Sequence, residues 1–136
     1  MAFLIGEVAE KMNLSVYTLR YYDKEGLMPF VERTASGTRL FSESDVGALK
    51  IIECLKATGM SIKDIRQFID WCAEGDATLK QRYDMFMERK AAVEAQMEEL
   101  KKTLELVEHK CWYYKTALEA GNERPGNCSS SEAAAG

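Results

Sequence analysis

At 136 residues the chain is long enough for one modest core, or a small domain plus an extended helix, and too short for a separate ligand-binding domain. Apolar residues make up 46% of it in runs of only a few, so the sequence offers no transmembrane segment, and with no signal-peptide pattern at its start it reads as a cytoplasmic protein. A net charge of −4 excludes a polycationic nonspecific nucleic-acid binder, and Cys54, Cys72, Cys111 and Cys128, with no close pair and no zinc-ribbon spacing, read as free thiols.

The first element is short. Ile5, Val8, Ala9 and Met12 recur at three- and four-residue steps, and Asn13, a residue that tolerates the left-handed conformation, ends the run. Ser15 then opens a second helix as its N-cap, with Leu14 and Leu19 placed as a hydrophobic staple and Gly26 as the stop. Val16 and Leu19 point one way, whereas Tyr17, Thr18, Arg20, Tyr21 and Lys24 spread over the remaining surface. Exposed aromatics beside cations suit phosphates and bases, although the same pattern fits an ordinary amphipathic helix with half-buried tyrosines. Two short helices joined by a tight turn form a helix-turn-helix pattern, whose second helix would enter a major groove.

Residues 28 to 41 carry a hairpin signal: Phe30 and Val31 before a turn that contains Ser36 and Gly37, then Leu40 and Phe41. Arg33 and Arg39 flank its tip and suit a phosphate backbone, and a solvated loop is the plainer alternative. From 14 to 42 there are four basic residues (Arg20, Lys24, Arg33, Arg39) against three acidic ones (Asp23, Glu25, Glu32), a local bias of only +1. The next two helices open alike. Ser42 caps with Asp45 and a Phe41 to Val46 staple, and Ser61 caps with Asp64 and a Met60 to Ile65 staple. The third helix, residues 43 to 58, is expected to bury Val46, Leu49, Ile52 and Leu55. The fourth, residues 62 to 73, is expected to bury Ile62, Ile65, Ile69 and Cys72.

From residue 78 the character changes. Leu79, Tyr83, Phe86, Lys90, Val93, Met97, Leu100, Leu104, Val107, Cys111, Tyr114 and Leu118 alternate four- and three-residue steps, the period of a coiled-coil seam. Such a helix would be about 60 Å long, at about 1.5 Å per residue, and its stripe needs a partner, for which a second copy of the chain is the expectation. The domain reading is therefore a DNA-binding domain over 1–75, a dimerisation helix over 76–119 and a disordered tail over 120–136, rich in Gly, Ser and Ala.

Ile5-Gly6-Glu7-Val8-Ala9, Thr18-Leu19-Arg20-Tyr21-Tyr22-Asp23, Gly26-Leu27 with Pro29, and Arg33-Thr34, Gly37, Arg39 and Asp45 together resemble the mercury-resistance-regulator (MerR) family of bacterial transcription factors, over about the first 70 residues. The resemblance implies a mainly α fold: a winged helix-turn-helix domain followed by a long C-terminal helix that pairs in an antiparallel coiled coil. It implies a homodimer on double-stranded promoter DNA, with Ser15, Tyr17, Thr18, Arg20, Tyr21, Lys24, Arg33, Gly37, Arg39 and Lys56 at the DNA, and Lys63 as a further backbone contact from the helical second wing. RNA polymerase would be affected indirectly, through distortion of the promoter. One departure is Thr38, where many members have tyrosine, so no contact is carried over to it.

Three readings of the signal stay open. The segment 51–60, Ile-Ile-Glu-Cys-Leu-Lys-Ala-Thr-Gly-Met, resembles the thiol-based branch of the family that answers reactive aldehydes and other electrophiles, which makes Cys54 the sensor thiol of a stress response. A buried structural cysteine is the plainer reading of Cys54. Metal-sensing members resemble one another in a cysteine at the start of the dimer helix, where this chain has Thr78 and Leu79; Cys111 and Cys128 are the remaining soft ligands, and no metal or cofactor is expected. The third reading is a helical adapter that does not bind DNA. With one histidine and no phosphate-binding glycine loop, the sequence has no catalytic constellation and does not read as an enzyme.

Overall fold

The computed structural model describes residues 2–123. Element order is α1 (Ile5–Met12), α2 (Val16–Lys24), β1 (Glu32–Arg33), β2 (Arg39–Leu40), α3 (Glu43–Ala57), α4 (Ile62–Glu74), a 3-10 turn (Gly75–Thr78) and α5 (Leu79–Ala120). The fold is mainly α, as expected, with a small antiparallel wing between the second and third helices. The chain divides into two compact units, Met1–Arg89 and Lys90–Gly136. Most of the expected tail, Cys128 included, lies outside the described residues.

Helix boundaries in the first unit follow side-chain chemistry. At α1 the backbone N–H of Leu4 donates to Glu7 Oε1 at 2.8 Å, so an acid satisfies an orphan donor at the positive end of the helix. Asn13 closes α1 in the left-handed region, at φ 55 and ψ 42, and turns the chain into α2 within two residues. Ser15 Oγ accepts from the Thr18 N–H at 3.0 Å, Ser42 and Asp45 form a reciprocal capping box, and Ser61 Oγ accepts from the Asp64 N–H at 3.1 Å. Gly26, at φ 78, lets α2 stop and reverse, which glycine does without strain. An added Cβ there would also lie 3.3 Å from Arg66 Cδ on α4.

The core of this unit gathers Val8 and Ala9 of α1, Leu19 and Tyr22 of α2, Leu27, Met28 and Phe41 around the wing, Val46, Leu49, Ile52 and Leu55 of α3, Ile65, Phe68 and Ile69 of α4, and Met85 of α5. The four residues expected from α3 are all buried. On α4 the expectation needs correction: Cys72 is exposed, Ile62 is only partly buried, and Phe68 is buried instead. The cause is the start of α5, where Phe86 meets Phe68 edge-on at 5.5 Å and Met85 is buried, so the covered face of α4 turns toward residue 68.

The wing is minimal. Glu32 pairs with Leu40 and Arg33 with Arg39, and a further bridge ties Phe3 to Phe41 through two hydrogen bonds of 2.7 and 2.9 Å. Gly37, at φ 87, shapes the tip, where its N–H donates to the Thr34 carbonyl at 2.9 Å.

In the second unit most seam residues of α5 lie bare, with Val93 partly covered. Met97, Leu100, Leu104, Val107 and Leu118 are each more than half exposed, Leu118 at 83%. A helix that presents Leu and Met to water at every turn has no internal packing to stabilise it.

Candidate nucleic-acid interface

Residues 17, 20, 21 and 24 fall at the i, i+3, i+4, i+7 positions of α2 and so share one face. All four are exposed, Tyr17 at 78% and Tyr21 at 41%, while Leu19 and Tyr22 on the other side are fully buried. Core packing therefore holds α2 by Leu19 and Tyr22 and leaves two phenols and two cations outward. Ser15 and Thr18 sit at the start of this face with their hydroxyls 2.9 Å apart, each committed to the cap.

Arg20 lines one open cleft of about 570 Å3 with Gly37, Thr38 and Arg39 of the wing and the N-terminal turn of α1. Helix and wing thus converge, as the winged helix-turn-helix reading requires. Glu7 and Glu10 line the same cleft, so positive potential in it comes from the two arginines alone.

Arg33 and Arg39 do not stand free. Both guanidinium groups donate to Oδ2 of Asp23 near the C-terminal end of α2, Arg39 through Nε at 2.8 Å and Arg33 through a terminal nitrogen. Sequence reasoning gave Asp23 no role at the site beyond its place in the family motif and its charge, which reduced the local bias. A sharper signal was available, because two arginines expected on facing strands of one hairpin need a counter-charge nearby.

Lys56 lies outside the cleft. Its Nζ donates to the Tyr22 hydroxyl at 3.0 Å and sits 5.3 Å from the ring centre, and that hydroxyl donates to Glu53 at 2.5 Å. Tyr22 was also missed, although its place three residues after Leu19 puts it on the apolar face of α2. Burial first, and then the bond to Glu53, raise the Tyr22 phenol above its ordinary 10.0, and the bond to Tyr22 raises the Lys56 ammonium above its ordinary 10.5. Both folded-state values are raised, so this contribution to stability is whole below the unfolded values and is lost as pH rises through the folded ones. Tyr22→Phe is expected to lower stability at neutral pH by about 1 kcal/mol and to flatten the fall in urea midpoint as pH rises above about 10. An unchanged alkaline slope would show that other groups carry it.

Cys54 is exposed on α3, between the buried Ile52 and Leu55. Glu53 and Lys56, the charges that flank it most closely in sequence, are both held at the Tyr22 hydroxyl. Cys72 and Cys111 are exposed as well, and among the described residues no three His, Cys, Asp or Glu side chains gather as a metal site. No helix among the described residues is long and apolar enough to cross a membrane.

Residues 3–70 match the family described as MerR HTH family regulatory protein, and residues 46–109 match the one described as MerR, DNA binding. An HTH-type transcriptional regulator of Haemophilus influenzae is 41% identical over 127 residues, which cover 93% of this chain and 94% of that one. AdhR, an HTH-type transcriptional regulator of Bacillus subtilis, is 34% identical over 86 residues, 63% of this chain and 61% of that one. Among solved structures, HiNmlR, a MerR family regulator lacking the sensor domain and bound to promoter DNA, is 42% identical at a TM-score of 0.83, covering 90% of this chain and 97% of that one. These likenesses lie in the NmlR/AdhR-like branch and are to transcriptional regulators rather than enzymes. With the helix-turn-helix, the wing and the long helix in the order this family shows, the chain belongs to the MerR family of helix-turn-helix regulatory proteins.

Proposed function

We propose that this regulator binds promoter DNA as a homodimer and controls transcription by distorting that DNA in response to reactive aldehydes and related electrophiles, which modify Cys54. The observation that carries the DNA part is the single exposed face of α2, with Tyr17, Arg20, Tyr21 and Lys24, meeting the wing at a shared cleft. HiNmlR, so similar over nearly the whole chain, was solved on promoter DNA. In this reading Arg20 offers a planar fork to a base edge or phosphate, and the tyrosines supply phenol hydroxyls and flat apolar surface. Ser15, Thr18 and Gly37 act through backbone placement at the cap and wing tip. Lys24, Arg39 and Lys56 add positive charge, Lys56 after exchanging the Tyr22 hydroxyl for a phosphate. The homodimer rests on the bare seam of α5, and effects on RNA polymerase are indirect.

The signal part rests on Cys54. Exposure alone does not distinguish it from Cys72 and Cys111, and its position does: it follows Glu53, which is hydrogen-bonded to a buried tyrosine of α2. Addition of its thiolate to an aldehyde carbon forms one S–C bond as the C=O π bond opens, and the oxygen that receives that electron pair takes the proton lost by the thiol, so no oxidant is needed.

Arg20 tests the DNA part. Arg20→Ala is expected to weaken binding to the promoter fragment upstream of the chain's own coding sequence by about 1 to 3 kcal/mol, with dimerisation and thermal stability nearly unchanged. Fluorescence anisotropy against that fragment and a scrambled one reads the result, and unaltered binding would move the contacts off α2.

A further inference from the structure

The two arginines of the wing are cross-strand partners, and like charges directly opposite in a ladder repel. The wing has only two residues in each strand, so its own hydrogen bonds cannot hold that pair together firmly. What joins them is one atom of another element, Oδ2 of Asp23 on α2. The three side chains differ in exposure: Asp23 and Arg39 are about one-fifth exposed, at 20% and 21%, and Arg33 is at 49%.

The two guanidinium groups also use different atoms. Arg33 gives one terminal nitrogen to Asp23 and the other to the Gly37 carbonyl at 3.4 Å, so both of its terminal nitrogens are engaged within the protein although the side chain is half exposed. Among the described residues Arg39 gives only Nε, and both its terminal nitrogens remain for a further acceptor in the cleft that it shares with Arg20. A phosphate oxygen pair is the acceptor that matches such a fork.

We propose that Asp23 is a positioning residue for DNA binding: it clamps the wing to α2 through Arg33 and Arg39, so that Arg33 serves as a brace while Arg39 is held ready for a phosphate. The inference rests on the DNA-binding reading of α2 and the wing, and it separates two arginines that sequence reasoning treated alike. It also reverses the sign expected from simple electrostatics. An acidic residue on a DNA-facing surface should repel the backbone, so its neutralisation should tighten binding. If Asp23 sets the wing, its neutralisation loosens the wing and weakens binding.

The experiment measures affinity for the promoter fragment as a function of salt for the unmodified dimer, Asp23→Asn, Arg33→Gln and Arg39→Gln. Asp23→Asn is expected to bind about three- to tenfold more weakly. Its log–log salt slope should be shallower by about one, the share of one lost phosphate contact. Arg39→Gln should show the same loss of slope. Arg33→Gln should weaken binding with its slope unchanged, because a brace releases no counterion. Tighter or unchanged binding by Asp23→Asn overturns the proposal. Should that variant fail to fold, equal losses of slope in Arg33→Gln and Arg39→Gln overturn it instead, since both would then touch phosphate. Failure of the unmodified protein to prefer the promoter fragment over scrambled DNA would be a failure of the DNA-binding reading itself, a different outcome from any of these.

Discussion

Leu100→Glu is expected to yield a monomer that no longer binds promoter DNA. Leu100 lies mid-seam on α5 and is 68% exposed, with Met97 at 64% and Leu104 at 55% on the adjoining turns. Each such side chain contributes about 1.5 to 3 kcal/mol when fully covered, and a two-fold pairing covers every one of them twice. A glutamate at the centre interrupts a mainly apolar stripe, and leaving a charge buried and unpaired costs several kcal/mol. The two-fold axis doubles that cost as well. DNA binding should fall with the dimer, because two recognition helices at fixed spacing engage two half-sites and one alone does not. Sedimentation velocity and anisotropy on the same preparation check both parts. A stable monomer for the unmodified protein would overturn the assembly.

Helix ends were legible in the sequence because their signals are local. Asn13, Ser15, Gly26, Ser42 with Asp45, and Ser61 each act within three or four residues, and all do what their residue types require. The α3 core was legible for the same reason, as a period of 3.6. Polar contacts made across the fold were not. Tyr22 meets Glu53 and Lys56 at separations of 31 and 34 residues, and Asp23 meets Arg33 and Arg39 at 10 and 16. No periodicity encodes such pairs; they follow from how α2 is set against α3 and the wing. Cys72 illustrates the complementary failure: its spacing from Ile65 and Ile69 put it on the buried face, and packing by Phe86 moved that face away.

Cys54→Ala is expected to bind the promoter fragment as the parent does and to lose the response to small aldehydes entirely. The size of the effect follows from the energy of the DNA. Bending a promoter costs on the order of 1 to 6 kcal/mol, so a change of about 1.4 kcal/mol in how well the protein holds the bend shifts the bent fraction tenfold. A covalent adduct on α3 can supply that change. Ile52 and Leu55 beside Cys54 are fully buried, and Glu53 is bonded to Tyr22, itself flanked by Tyr21 on the exposed face and Asp23 at the wing. On the proposed reading, tilting α3 at this point would act on the side of α2 that the core holds, and would reset how the two readers of the dimer are spaced. Intact-mass measurement after exposure to a small aldehyde should show one adduct lost in Cys54→Ala. In-vitro transcription from the promoter should show induction retained in Cys72→Ala and Cys128→Ala. If Cys54→Ala is induced like the parent while a variant lacking both Cys111 and Cys128 is not, the sensor lies at the far end of the chain, and the soft-ligand reading of those two thiols replaces the one proposed.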